Sequence, residues 1–296
     1  MKNVLAWIQA SRLMSQLYIL LPLLFGQGLY VQQNRSWSIE LFVLTICYSL
    51  LLQLYIVYAN DYADEAVDRM NTTYNIFSGG SRVLVEEKLT RPELRKGLFS
   101  VMALSGVLTM TTAMMYARIG IVFLLLLSWA LLWAYSFPPL RLSYRGGGEW
   151  LQAVGVGVLL PLTGYYVQAG SLKPFPWIFL PFTFLLHLGS ALVTTLPDEP
   201  SDRTGHKKTL AVREGIEVVI RWILLLYGIS FCVVFVWIAL FSPAPLAYVL
   251  IILPAFVTFL GLFRFRSGPV PGFPAMDRFV ALGVATAVLI MAGLSF

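Results

Sequence analysis

Apolar residues fill runs of about twenty along nearly the whole chain, and polar stretches separate them. A hydrocarbon core roughly 30 Å thick is crossed by about 20 residues of α-helix, so each run predicts a spanning helix. Nine runs qualify, at 13–32, 39–59, 97–117, 119–137, 150–169, 175–196, 217–241, 245–263 and 278–296. The breaks 33–38, 118, 170–174 and 242–244 are brief, whereas 60–96, 138–149, 197–216 and 264–277 are long and charged. The pattern predicts an all-α polytopic membrane protein: a single domain over 1–296, built as a nine-transmembrane-helix bundle with long cap loops on one side.

Basic residues orient the bundle. With the N-terminus cytoplasmic, all but Arg35, Arg118 and Lys173 of the 21 Lys and Arg fall on one side. The positive-inside rule makes that side cytoplasmic, with all four long loops on it and Phe296 opposite. Composition agrees, since 58% hydrophobic and 12% charged residues exclude a soluble domain, which carries about 25% charged. The net charge of +6 is then topological and no argument for nucleic acid, and nothing implies a protein partner. The first run follows Lys2 and Arg12 with no small-residue cleavage site, so it reads as a retained span. Cys47 and Cys232 sit in apolar stretches without partner spacing and are expected as buried, inert thiols.

Two acidic clusters interrupt this oily chain, Asn60 to Asp68 and Asp198 to Asp202. Carboxylates at a membrane boundary are costly and are seldom kept without a cation to hold. At about 100° per residue, Asp61, Asp64 and Asp68 fall within about 60° of one helix face, and Asn60 lies beside them. Three carboxylates on one face repel unless a cation sits among them. Pro200 belongs in a first helical turn, so span six should end near Leu196-Pro197, with Asp198 capping a short helix from Glu199. Spans two and six both descend to the cytoplasmic side, which brings the two clusters to one face. Grouped carboxylates with oxygen donors suit Mg²⁺, a hard cation bound by a few carboxylates together with substrate phosphates.

Cationic groups a diphosphate would want lie close by in the chain. Ser78-Gly79-Gly80-Ser81-Arg82 is a flexible turn ending in a guanidinium suited to phosphate. Tyr135-Ser136-Phe137-Pro138-Pro139-Leu140-Arg141 brings an Arg to the end of span four, and Lys207-Lys208 follows Asp202.

This arrangement resembles the UbiA superfamily of intramembrane aromatic prenyltransferases. Its pattern of Asn-Asp-x-x-Asp-x-x-x-Asp after the second span is met by Asn60, Asp61, Asp64 and Asp68, and Asp-x-x-x-Asp after the sixth by Asp198 and Asp202. Lys207-Lys208-Thr209-Leu210 is similar to the family's Gly-Lys-x-Thr-Leu continuation, with His206 where Gly is usual. Tyr135 to Arg141 and Arg145-Gly146-Gly147-Gly148-Glu149 are similar to the naphthoate- and chlorophyll-type branches, with Arg141 where many relatives have Lys.

The resemblance implies Mg²⁺-dependent transfer of an isoprenoid from a prenyl diphosphate to a small aromatic, quinone-precursor acceptor in the bilayer. The flavour is that of the menaquinone-type naphthoate branch, and the expected location is a bacterial inner membrane. By the same resemblance Asp61, Asp64, Asp68, Asp198 and Asp202 hold Mg²⁺, and Asn60 helps fix the geometry. Arg82, Arg141, Lys207 and Lys208 neutralise the departing diphosphate. Tyr62, Tyr135 and Tyr144 are the aromatics best placed by position to shield an allylic cation. Gln27, Gln53, Gln152, Gln168, His187 and Thr194 are polar residues in or near spans. For His187 a packed role and an acceptor-binding role both stand. Two rival readings are a terpene cyclase that quenches the same cation internally and a secondary transporter, although transporters place ionisable groups at mid-membrane between inverted repeats.

Overall fold

The computed structural model describes residues 2–75, 77–241 and 245–295. The expected turn at 242–244 and the placement of Phe296 lie outside the described residues. The helices are α1 (Lys2–Ala10), α2 (Gln16–Asn34), α3 (Ile39–Met70), α4 (Arg91–Met115), α5 (Gly120–Ser136), α6 (Leu142–Arg145), α7 (Gly148–Val154) and α8 (Leu160–Ala169). They continue with α9 (Phe179–Thr195), α10 (Glu199–Thr204), α11 (Leu210–Glu214), α12 (Ile216–Phe241), α13 (Pro245–Leu262) and α14 (Pro274–Leu294). A π-helical segment, Gly155–Leu159, joins α7 to α8 as one span. Eight helices among the described residues are long and apolar enough to cross a membrane, and α5 is apolar but shorter. Large apolar side chains such as Leu104, Phe123, Val236, Leu250 and Val257 cover the outside, as a lipid-facing surface requires.

Local chemistry sets the helix ends. Ser38 caps α3 by accepting from the Leu41 N–H at 3.2 Å. Thr90 and Glu93 form a reciprocal capping box at the start of α4. Arg118, one of the few basic residues expected on the outer side, spends its guanidinium on the C-terminal carbonyls of α8, at 2.9 Å from Val167 and 3.0 Å from Gln168.

In a bilayer, apolar contact alone drives helices together weakly, and close backbone approach matters more. Here α2 and α8 touch through glycine. A Cβ on Gly26 would stand 2.0 Å from the Pro161 carbonyl oxygen, and one on Gly164 1.9 Å from that of Leu23. Helix α2 is also shared between two packed clusters. Ile19 and Leu23 join the side built with α3 and α4, whereas Leu21 and Phe25 join the side built with α9, α12 and α14. Gln27 donates to Thr45 at 2.5 Å and Gln168 to Gln27 at 3.3 Å, which pairs these polar groups at the end of the bundle away from the acidic clusters.

Cys47 and Cys232 depart from expectation. Both are free thiols exposed on the outside of the bundle, because an apolar residue in a span faces lipid as readily as protein. The first expected span is α2, and a separate amphipathic helix, α1, precedes it, divided from it by a turn at Arg12, whose φ is 43°.

Candidate active site

Helix α3 runs for 32 residues, about 48 Å at 1.5 Å per residue, against a hydrocarbon core of roughly 30 Å. Its last three turns therefore project beyond the apolar layer, and all four acidic-motif residues ride on them without a break in the helix. The segment 71–90 then folds back over this projecting end. Ser81 donates both its N–H, at 3.2 Å, and its hydroxyl to Asp61. Gly80 has φ +70°, and a Cβ there would fall 2.2 Å from Asp68 Oδ2, so only glycine lets this turn lie against that carboxylate.

The second cluster meets the same turn. Helix α9 ends at Thr195, a 3₁₀ turn covers Leu196–Asp198, and α10 starts at Glu199 as expected. Asp198 does not cap it. Its carboxylate instead accepts from Asn71 Nδ2 at 2.9 Å and from the Gly79 N–H at 3.0 Å.

Two internal cations tie the acids together. Lys207 Nζ stands 2.9 Å from Asp64 and 3.5 Å from Asp202, so the two acidic motifs face each other across one ammonium. Arg12 pairs with Asp61, which is buried. Tyr144 donates to Asp64 at 3.0 Å. Burial disfavours the Lys207 ammonium, but Asp64 and Asp202 outweigh it and hold the group well above the usual lysine range. Burial, and then the charge of Asp64, push the Tyr144 phenol upward, so it stays a neutral donor. The Asp68 carboxylate accepts no hydrogen bond from any described group.

The arginines flank this core. Arg82 donates to the Asp68 carbonyl at 3.1 Å and lies over the Tyr74 ring at 3.7 Å. Arg141 lies over Tyr144 at 3.5 Å and reaches the Ala63 carbonyl at 3.4 Å. Asn60 accepts from Ser136 at 2.9 Å, which ties α3 to the end of α5. Of the other expected residues, Tyr135 stands beside this core, near enough to Lys207, Asp64 and Asp202 to feel their charges, and the rest fall elsewhere. The Lys208 side chain is exposed. Tyr62 lies under Arg91 at 4.2 Å. Tyr135 is half-buried, with its ring edge against Gly148. His187 is buried inside the bundle, bonded to the Thr183 carbonyl at 2.7 Å and edge-on to Tyr18. His206 is exposed at φ 59°, a left-handed position where glycine costs less, which explains the resemblance's Gly there.

Some partners carry no sequence motif. Arg12 reads as a topological charge, and its only clue is a place at the start of span one on the same face as the acids. Glu149, buried, accepts from the Leu210 N–H at 2.6 Å, while the Lys208 N–H reaches the Tyr144 carbonyl at 3.1 Å. These two bonds hold the loop that delivers Lys207.

The donor set is all oxygen, the chemistry of a hard divalent cation. Among the described residues no three of these groups already enclose one point. That suits Mg²⁺, which takes one or two carboxylates and fills its sphere with phosphate oxygens and water. Asp68, Asp198, Asp64 and Asp202 would supply the protein's share.

The same fold occurs in solved structures. A UbiA homolog from Archaeoglobus fulgidus bound to GPP and Mg²⁺ aligns with a TM-score of 0.69 at 20% identity, over 98% of this chain and 100% of that one. The apo UbiA homolog from Aeropyrum pernix K1 gives 0.66 at 16% identity, over 93% and 97%. A digeranylgeranylglyceryl phosphate synthase gives 0.60 at 15%, over 99% of each chain. At these identities the likeness is one of fold, and no curated protein matches in sequence. The UbiA prenyltransferase family, by contrast, matches residues 19–293, almost the whole chain, and the chain belongs to that family.

Proposed function

We propose that this protein transfers an isoprenoid chain from a prenyl diphosphate to a small aromatic, quinone-precursor acceptor of the naphthoate type, at the cytoplasmic end of the bundle and with Mg²⁺. The observation that carries the reading is Lys207 held between Asp64 and Asp202, which joins both acidic motifs into one charged site. The Archaeoglobus fulgidus homologs bound to GPP or DMAPP with Mg²⁺ support the same donor and cation here.

In the reaction the C1–O bond breaks and its electron pair leaves with the diphosphate. A ring carbon of the acceptor bonds to C1, and the ring proton passes to the released diphosphate. Mg²⁺ bound among the carboxylates would neutralise charge on the leaving diphosphate. Lys207 adds a fixed positive charge aimed at the same oxygens, and Arg82 and Arg141 reach the rim of the site. Tyr144 supplies a neutral hydroxyl donor beside Asp64.

Asp64→Ala and Asp198→Ala should each abolish Mg²⁺-dependent release of diphosphate from geranyl diphosphate while leaving the protein folded in detergent. Release retained in both variants would overturn the site. A run without acceptor belongs in the same experiment, because a cyclic hydrocarbon or alcohol as product would overturn transfer.

A further inference from the structure

Below the carboxylates, both acid-bearing helices carry polar stripes into the bundle. On α3, Gln53, Val57, Asn60, Asp64 and Asp68 follow at spacings of three and four, and so share a face. On α9 and its extension the same spacing runs through Thr183, His187, Ser190, Thr194 and Asp198. Between them stand Ser15 and Tyr18, one turn apart at the head of α2. Ser15 meets Gln53, and the Tyr18 ring meets that of His187 at 5.9 Å.

Two polar atoms of buried side chains here have no partner within the protein, and their neighbours fix which atoms they are. The Ser15 hydroxyl donates to the Arg12 carbonyl at 2.7 Å, so it must accept from Gln53 Nε2 at 2.6 Å. That leaves Gln53 Oε1 as the free end, buried and unbonded. The Thr183 carbonyl can only accept, so His187 Nδ1 carries the proton and Nε2 is left as a lone pair, in a residue 2% exposed. Ser190, 1% exposed, lies beside the Tyr18 hydroxyl. The Tyr18 oxygen accepts from Gln152 Nε2 at 3.1 Å. Buried polar groups are paired in more than about nine cases of ten. Gln53 Oε1 and His187 Nε2 are both acceptors, so what satisfies them must donate.

Gln53 lies eight residues from Asp61 and His187 eleven from Asp198, about 12 and 16 Å along their helices. A diphosphate, its first carbon and one aromatic ring placed end to end would cover that depth. We infer that Gln53 and His187 are the specificity residues for the acceptor, each taking a hydrogen bond from one of its ring hydroxyls, with Ser190 and Tyr18 beside them. The inference rests on the transferase reading above and adds how its second substrate is read.

The test uses the full chain in detergent with Mg²⁺ and geranyl diphosphate, and two probes: 1,4-dihydroxy-2-naphthoate and the analogue methylated at both hydroxyls. The wild type should bind the methylated probe at least tenfold more weakly, since each unmet buried acceptor costs about that much. Gln53→Leu and His187→Leu should each raise the acceptor KM about tenfold and leave the geranyl diphosphate KM within about twofold. His187→Gln, whose Oε1 falls near the place of Nε2, should recover most of the loss. Equal binding of the two probes by the wild type overturns the inference, as does a loss spread equally over both KM values. If a leucine variant does not fold, the wild-type ratio alone decides. Wild type that releases diphosphate but ignores the methyl groups sinks this inference only, whereas wild type that releases none with either probe sinks the transferase reading itself.

Discussion

Gly80 shows how little room the site leaves. Its φ of +70° and the 2.2 Å approach of Asp68 to its missing Cβ mean that Gly80→Ala both strains the turn, by about 1 kcal/mol, and pushes the carboxylate aside. The Mg²⁺ concentration for half-maximal activity should rise severalfold in that variant, which a metal titration would show. Lys207 makes a pH prediction. Its pKa is raised in the folded protein, so its contribution to stability is complete below the unfolded lysine pKa of about 10.4 and is lost only as pH climbs through the higher folded one. The difference in melting temperature between wild type and Lys207→Met should therefore not shrink as pH rises from about 6 to 9, since the neighbouring carboxylates only gain charge over that range. A difference that shrinks across that window would refute the buried ion pair. At this scale the acid motifs were legible from spacing alone. Arg12, Asn71 and Glu149 were not, because each acts across 49 or more positions of chain and leaves no local pattern.

Among the elements, α3 was the most legible, since one apolar run continuing straight into spaced carboxylates can only be a helix that outlasts the membrane. The helix ahead of the first span was the least, because α1 lies before the run at 13–32 and the left-handed break at Arg12 carries no glycine or proline to announce it. The break matters, as it turns Arg12 back onto Asp61. Arg12→Gln should loosen α1, raising deuterium uptake over residues 2–15, and lower kcat/KM at least tenfold by leaving a buried carboxylate unpaired. The α2–α8 contact can be probed apart from the chemistry. Gly164→Val forces backbone apart that no side-chain rotation can relieve, at about 1–3 kcal/mol, and should lower the melting temperature by several degrees without changing the ratio of the two substrates' KM values.

For the molecule as a whole, hydropathy and basic residues predicted the bundle and its sidedness, whereas which side of each span meets lipid was not readable. The thiols show why: apolar residues suit either environment, and Cys47 and Cys232 proved to be on the outside. In sealed vesicles both should react with a lipid-soluble maleimide and resist a membrane-impermeant one. A cysteine placed at exposed Lys88 should react with the impermeant reagent only when the cytoplasmic face is outward. Labelling of Lys88→Cys from the opposite face would reverse the assigned orientation. The ion pairs at the acid site have a last consequence for how the protein fills. With Lys207 already between Asp64 and Asp202 and Arg12 already on Asp61, loading is an exchange of counter-ions: the cation takes the carboxylates only as the diphosphate takes the ammonium and guanidinium. Neither half can settle well alone, so metal and diphosphate should enter as one neutralised unit, and the empty protein should be nearly indifferent to either offered by itself.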